Sequence, residues 1–188
     1  MNASVENLFK EYFDQKPYDC RIVGIDVETT GLDNDSRLVE IAAVGFEFDG
    51  FELKPISFQS LIDPEVEVPE VVSNIHGLTN EKLKGAPKAD EVFVKLTEFL
   101  QGATTLVAHN ADFDRRMIVN NFARYDKRFP FENLFKCSLQ LAKRSSLNIS
   151  SYKLGEVANF FGYKNENAHR AYDDALCALF IWGKLNQI

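Results

Sequence analysis

The sequence predicts an α/β domain in which helices flank a mixed sheet, and three observations carry that prediction. An apolar strand comes first, at residues 21–28; two longer strand-like segments follow, at 37–48 and 51–62; from residue 89 onward, helical and strand-like segments alternate. A hairpin followed by alternating helix and strand puts antiparallel and parallel neighbours into one sheet. With 188 residues, 45% hydrophobic content and 16 Phe, the chain can build one large core.

Taken in order, Val5, Leu8, Phe9, Tyr12 and Phe13 stand at helical spacing ahead of Pro17, so residues 3–15 are expected to form an amphipathic helix. It would be a packing arm or a partner helix, which divides the chain into a helical extension at 1–19 and a main domain at 20–188. In the second strand Leu38, Glu40, Ala42, Val44, Phe46 and Phe48 fall in step, and Asp49-Gly50 is a hairpin signal leading into the third. Beyond Pro64 the texture changes to short helical pieces broken at His76-Gly77 and Gly85-Ala86-Pro87, then a helix at about 89–101 ended by Gly102. Thr105 to Ala108 reads as a short buried strand, 110–125 as a helix and 131–137 as a further strand. Short helices at 139–144 and 154–161 precede a last helix at 171–185, whose apolar face draws on Tyr172, Leu176, Leu179, Phe180 and Trp182.

The net charge of -7 is unevenly spread: residues 1–109 hold 9 Lys+Arg against 20 Asp+Glu, and residues 110–188 hold 12 against 8. The second part can therefore present a basic surface through Arg115, Arg116, Arg124, Lys127, Arg128, Lys143, Arg144, Lys153 and Arg170. Cys20, Cys137 and Cys177 are odd in number and far apart, which argues against a disulfide framework or a zinc site. There is no signal peptide at the start and no apolar run of membrane-spanning length, so a soluble, cytoplasmic protein without a membrane partner is expected.

Asp26 and Glu28 lie two apart on an apolar strand and so share a face. With 13 Asp and 15 Glu, about one D-x-E is expected by chance, and Asp63-Pro64-Glu65 is a second copy, in a surface context. The first copy differs in its setting: it ends a buried strand and runs into Thr29-Thr30-Gly31, where a ligand can approach the backbone. Two such carboxylates repel unless a cation lies between them, and hard oxygen ligands favour Mg2+ or Mn2+. A second segment, LVAHNADFD at 106–114, delivers His109, Asn110 and Asp114 to a helix start, with Asn110 as N-cap or positioning group. A third, AHRAYDDAL at 168–176, sets His169 before a helix that carries Asp173 and Asp174 in its first turns. Three separated segments with acids at element ends, plus one histidine, are what metal-assisted phosphodiester hydrolysis needs.

IDVETTGL, LVAHNADFD and HRAYDDA together resemble the three motifs of the DnaQ-like 3'-5' exonucleases of the DEDDh subgroup. The similarity extends to LIDPEVEVPEVVSNIHGLTNEKL and CSLQLAKR, covers about residues 21–183, and is nearest to the epsilon proofreading branch of the family. The resemblance implies a ribonuclease H-like fold with a five-stranded mixed sheet and two divalent ions, Mg2+ or Mn2+. It implies that Asp26, Glu28, Asp114 and Asp174 hold the metal, Asp26 bridging both ions, and that His169 is the general base. By the same resemblance Thr29 and Glu28 meet the 3'-hydroxyl, Leu32 wedges against the last base, and Phe113 and His76 line the nucleotide pocket. On a continuous helix Asp173 would lie nearest the His169 face; the family spacing favours Asp174, which requires the helix to begin no earlier than His169.

The implied activity is release of nucleoside 5'-monophosphates from single-stranded or frayed 3' ends of DNA, with a DNA polymerase subunit as candidate partner and proofreading as candidate role. A 3'-5' exoribonuclease or single-strand trimming nuclease of the ribonuclease T or oligoribonuclease kind shares the chemistry, and a non-catalytic nucleic-acid-binding module shares the fold. An HD-type phosphohydrolase is disfavoured, since His76, His109 and His169 are followed by Gly, Asn and Arg.

Overall fold

The computed structural model describes residues 3–13, 20–48 and 51–186. Five strands form one sheet in the order β3-β2-β1-β4-β5: β1 (Cys20–Thr29), β2 (Leu38–Phe48), β3 (Leu53–Leu61), β4 (Thr105–Ala108) and β5 (Phe135–Cys137). β1 is the hinge of the topology, antiparallel to β2 and parallel to β4. The C-terminal ends of β1, β4 and β5 therefore open onto the same edge. The mixed sheet flanked by helices is the ribonuclease H-like fold that the motifs implied. β2 and β3 pair from Phe48 opposite Leu53 to Glu40 opposite Leu61, as a hairpin demands; the Asp49-Gly50 turn lies outside the described residues.

Alternation along β1 sorts side chains between two cores. Val23, Ile25 and Val27 join Val92, Phe93, Met117, Ile118 and Phe122 beneath α4 (Ala89–Phe99) and α5 (Ala111–Ala123). On the other face Ile22 joins Val44, Phe46, Ala175, Leu179 and Trp182 beneath α8 (Ala171–Leu185), with α6 (Ser138–Arg144) and α7 (Leu154–Phe160) packed beside it. Gly24 is on that same face. A Cβ there would stand 2.3 Å from the Ala175 carbonyl oxygen, so the missing side chain lets the first turn of α8 rest on the strand. Gly24→Ala should displace α8 and cost about 1–3 kcal/mol of stability, read from denaturant unfolding.

α1 (Ala3–Phe13) buries Val5, Leu8 and Phe9, and Phe9 stacks on Phe46 at 5.0 Å between ring centroids and on Trp182 at 6.5 Å. Of the two roles expected for this helix, packing arm is the one these contacts fill. α2 (Glu70–His76) ends where Gly77 takes φ 72°, and α3 (Asn80–Leu83) follows after a Thr79 cap. The last strand is shorter than expected: residues 132–134 form a 3-10 turn and only Phe135–Cys137 pairs, parallel to β4. A strand at the sheet edge pairs only as far as its neighbour reaches, and β4 has four residues.

Candidate active site

Asp26 and Glu28 reach the end of β1 on the α8 face, as their spacing required. Register places Asp26 opposite Ala42 and Glu28 opposite Glu40. α8 begins at Ala171, so His169 and Arg170 precede it, and His169 adopts a left-handed φ of 65°. The helix start thus falls where the Asp174 assignment needs it. Asp174 is buried, its Oδ1 accepting from Asn165 and its Oδ2 from the His169 backbone N–H at 3.1 Å, whereas Asp173 is less enclosed and faces Asn167. Ligand atoms of Glu28, His169 and Asp174 all lie within 4.8 Å of one another. Asp114 arrives from the opposite side, 2% exposed at the start of α5, where β4 delivers the chain to the same edge.

The electrostatics bind these acids into one site. Burial, followed by the charges of Asp114, Asp174, Glu28 and Glu40, holds Asp26 well above the carboxylate range. Burial and the charges of Asp174, Glu40 and Asp114 push Glu28 up to about 8 against the pull of Arg170. Burial pushes Asp114 up to about 8 even though backbone hydrogen bonding at Asp114 and Val27 opposes it. Asp174 is raised by burial, with its bonds to Asn165 and His169 opposing. Four acids crowded into a partly dry site, three of them made harder to ionise by neighbouring carboxylates of the site, fit a divalent cation, because its charge turns their repulsion into attraction.

The expected substrate-side residues differ in their surroundings. Leu32 is 75% exposed on the loop that follows β1, which α5 fastens: Arg116 donates to Asn34 Oδ1 at 2.7 Å, Asn121 to the Ser36 carbonyl at 3.0 Å, and Arg124 pairs with Asp35 at 3.2 Å. The Phe113 ring is half-buried under the Arg116 guanidinium, 5.5 Å from its centroid, and helps line a cavity of about 490 Å³ along α5. The Thr29 hydroxyl is buried and donates to the Gly31 carbonyl, closing the turn after β1. His76 is buried with Nδ1 accepting from the Leu78 N–H at 3.0 Å, so its proton sits on Nε2, which has no hydrogen-bond partner among the described residues. Burial lowers its pKa.

Other sequence readings resolve more plainly. His109 is saturated, with Nδ1 on Ser138 Oγ and Nε2 on the Tyr152 carbonyl, both at 2.9 Å; it is a half-buried linker. Asn110 does not cap α5 through its side chain: it takes φ 73°, an angle that asparagine tolerates, to turn the chain from strand to helix. Arg116, Arg124, Lys127, Arg128 and Arg170 are drawn into bonds with the protein's own acids, carbonyls or amides, while Lys143, Arg144 and Lys153 stay exposed around α6 and α7. Burial pushes the Cys177 thiol up to about 12, an inert core group. No helix among the described residues is long and apolar enough to cross a membrane.

Sequence reasoning did not single out Glu40. It is wholly buried, yet its carboxylate stays below the ordinary range: burial raises it, and hydrogen bonds from Arg170, Ala171 and Gln59 outweigh that. The only sequence signal was an acid in step with apolar residues of a central strand.

Residues 23–181 match the protein-family model described as Exonuclease. The chain is 32% identical over 168 residues to the DNA polymerase III subunit epsilon of Aquifex aeolicus, a match that takes in 89% of this chain and 81% of that protein. It is 35% identical over 162 residues to a PolC-type DNA polymerase III of Clostridium perfringens, covering 86% of this chain but only 11% of the polymerase. Among solved structures, the nuclease domain of 3'hExo, a DEDDh family member bound to rAMP, superposes with a TM-score of 0.75 at 16% identity over 90% of this chain and 93% of that one.

Proposed function

We propose, from the premise that this chain belongs to the exonuclease family that also includes epsilon subunits of bacterial DNA polymerase III, that it is a metal-dependent 3'-5' exonuclease acting on DNA ends. The observation that carries this reading is the convergence of Asp26, Glu28, Asp114 and Asp174 from three distant segments into one cluster, in which burial raises all four and the charge of Asp174 further raises Asp26, Glu28 and Asp114.

Asp26, Glu28, Asp114 and Asp174 would hold two divalent ions, Mg2+ or Mn2+. Ions held there would supply Lewis-acid stabilisation of the attacking and leaving oxygens in an in-line displacement. His169, exposed on the loop before α8, takes the proton of the attacking water; the water oxygen bonds to phosphorus while the bond to the O3' of the preceding nucleotide breaks, releasing a nucleoside 5'-monophosphate. Leu32 meets the terminal base, Phe113 and His76 wall the nucleotide, and the lone Nε2–H of His76 offers it a donor. Thr29 and Glu28 meet the 3'-hydroxyl. Base-independent contacts of this kind suit a frayed or single-stranded end, and a polymerase subunit is the natural partner for a proofreading role.

Comparing rates on single-stranded DNA, mismatched duplex and RNA tests the substrate class. Faster removal of nucleotides from DNA supports the reading; a strong preference for RNA makes this a trimming exoribonuclease with the same site. The Asp174→Asn and Asp173→Asn pair tests the site itself. Asp174→Asn should lower turnover about a thousandfold while Asp173→Asn stays within about threefold of the parent.

A further inference from the structure

We infer that Glu40 and Arg170 form a clamp that positions His169 for the reaction, making them positioning residues of the site beyond the four acids and the histidine. The kinetic part of this inference rests on the exonuclease reading; its structural part does not.

Glu40 sits directly across from Glu28 on the same face of β1 and β2, where two like charges oppose each other unless something intervenes. Its carboxylate accepts four hydrogen bonds: from Gln59 Nε2 at 2.9 Å, from Arg170 Nη2 at 2.7 Å, from Arg170 Nε at 3.2 Å and from the Ala171 backbone N–H at 3.1 Å. Three of the four come from the two residues that follow His169. The two Arg170 bonds form a fork on one carboxylate, a geometry that fixes a guanidinium in direction as well as distance. The Ala171 bond satisfies one of the amides that a helix leaves unpaired at its start, at the end where the helix dipole favours an anion.

The clamp acts on the loop more than on the helix. α8 is held independently, by Ala175 and Leu179 against Gly24 and by a row of buried side chains from Ala171 to Leu185, so Asp174 keeps its place without help. His169 has no such support. It is exposed and precedes the helix in a left-handed conformation that costs a non-glycine residue free energy. Its backbone N–H bond to Asp174 fixes one side, and the clamped Arg170 fixes the other. A general base must stay within hydrogen-bond reach of its water, and misplacement by about 1 Å costs on the order of a hundredfold in rate.

The test uses three variants of the whole chain, Glu40→Gln, Arg170→Ala and Arg170→Lys, with three readouts. Glu40→Gln keeps shape but sets an amide N–H₂ against donors of Arg170 and Ala171; Arg170→Ala removes a half-exposed side chain and with it two of the bonds that hold the buried Glu40; Arg170→Lys keeps charge and loses the fork. Hydrogen exchange, which needs no activity, should rise in the peptide spanning 166–172 in Glu40→Gln and Arg170→Ala, with β1 and β2 peptides unchanged. In both variants kcat should fall about thirtyfold with KM within about threefold, and Arg170→Lys should fall between them and the parent. Mn2+ affinity measured by calorimetry should stay within about threefold, since the metal-holding acids are untouched. Unchanged exchange at 166–172, turnover within about threefold of the parent, or exchange rising throughout the sheet would each overturn the inference. An inactive parent with the local exchange change intact would instead refute the exonuclease reading and leave the clamp standing.

Discussion

Replacing Asp26 with Asn is expected to lower turnover by about a thousandfold or more and, in the same variant, to raise the melting temperature of the metal-free protein at about pH 8. The two effects have opposite signs because one charge serves both. Asp26 is squeezed by burial and by the charges of Asp114, Asp174, Glu28 and Glu40, so in the absence of a cation its ionised form works against the fold. An amide of the same shape removes that repulsion, and relief of about 1–3 kcal/mol shifts the midpoint of a domain this size upward by roughly 3–10 °C. Differential scanning fluorimetry with chelator reads the stability, and nucleotide release with Mg2+ reads the turnover. A lower melting temperature would mean that Asp26 is satisfied by the protein alone and that no cation is called for.

The second large effect is a pH dependence that divalent ions should cancel. Glu28 is raised from 4.5 to about 8 and Asp114 from 3.8 to about 8, so between these limits the folded protein binds more protons at these groups than the unfolded chain does. Stability therefore falls with rising pH. It is fully present below the unfolded values and is lost as pH climbs through about 8. The metal-free protein should accordingly lose about 10 °C in melting temperature between about pH 5 and pH 8.5. Mg2+ or Mn2+ replaces the protons, so added ions should stabilise most at the alkaline end and little near pH 5. Equal stabilisation at both ends would place the ions away from these acids.

The parts of this site that the sequence made legible are those governed by local rules. Alternation alone put Asp26 and Glu28 on one face, and the distinction between Asp173 and Asp174 turned on where a helix begins, which the structure places at Ala171. The hairpin, the short β4 and the last helix were legible because periodicity and glycine punctuation mark them. What escaped depended on partners far away in the chain. Glu40 meets Arg170 across 130 positions, and nothing near Glu40 distinguishes it from another member of a regular strand. Gly24 marks where α8 touches β1, a contact that periodicity does not encode. Asn110 was open to reading as a cap because asparagine favours that position, yet it also tolerates the left-handed backbone, and here the turn from β4 into α5 uses the second property. Residues 131–134 had strand-like composition but no neighbour long enough to pair with.

The central claim is that acids from three segments assemble a cation-dependent site that hydrolyses nucleic acid from its 3' end. Incubating the whole chain with 5'-end-labelled single-stranded DNA, with Mg2+ or Mn2+ and in parallel with chelator, tests it most directly. The account predicts a ladder that shortens one nucleotide at a time from the 3' end with either ion and stays full-length with chelator. Full-length substrate under every condition, or shortening that chelator leaves untouched, would contradict it.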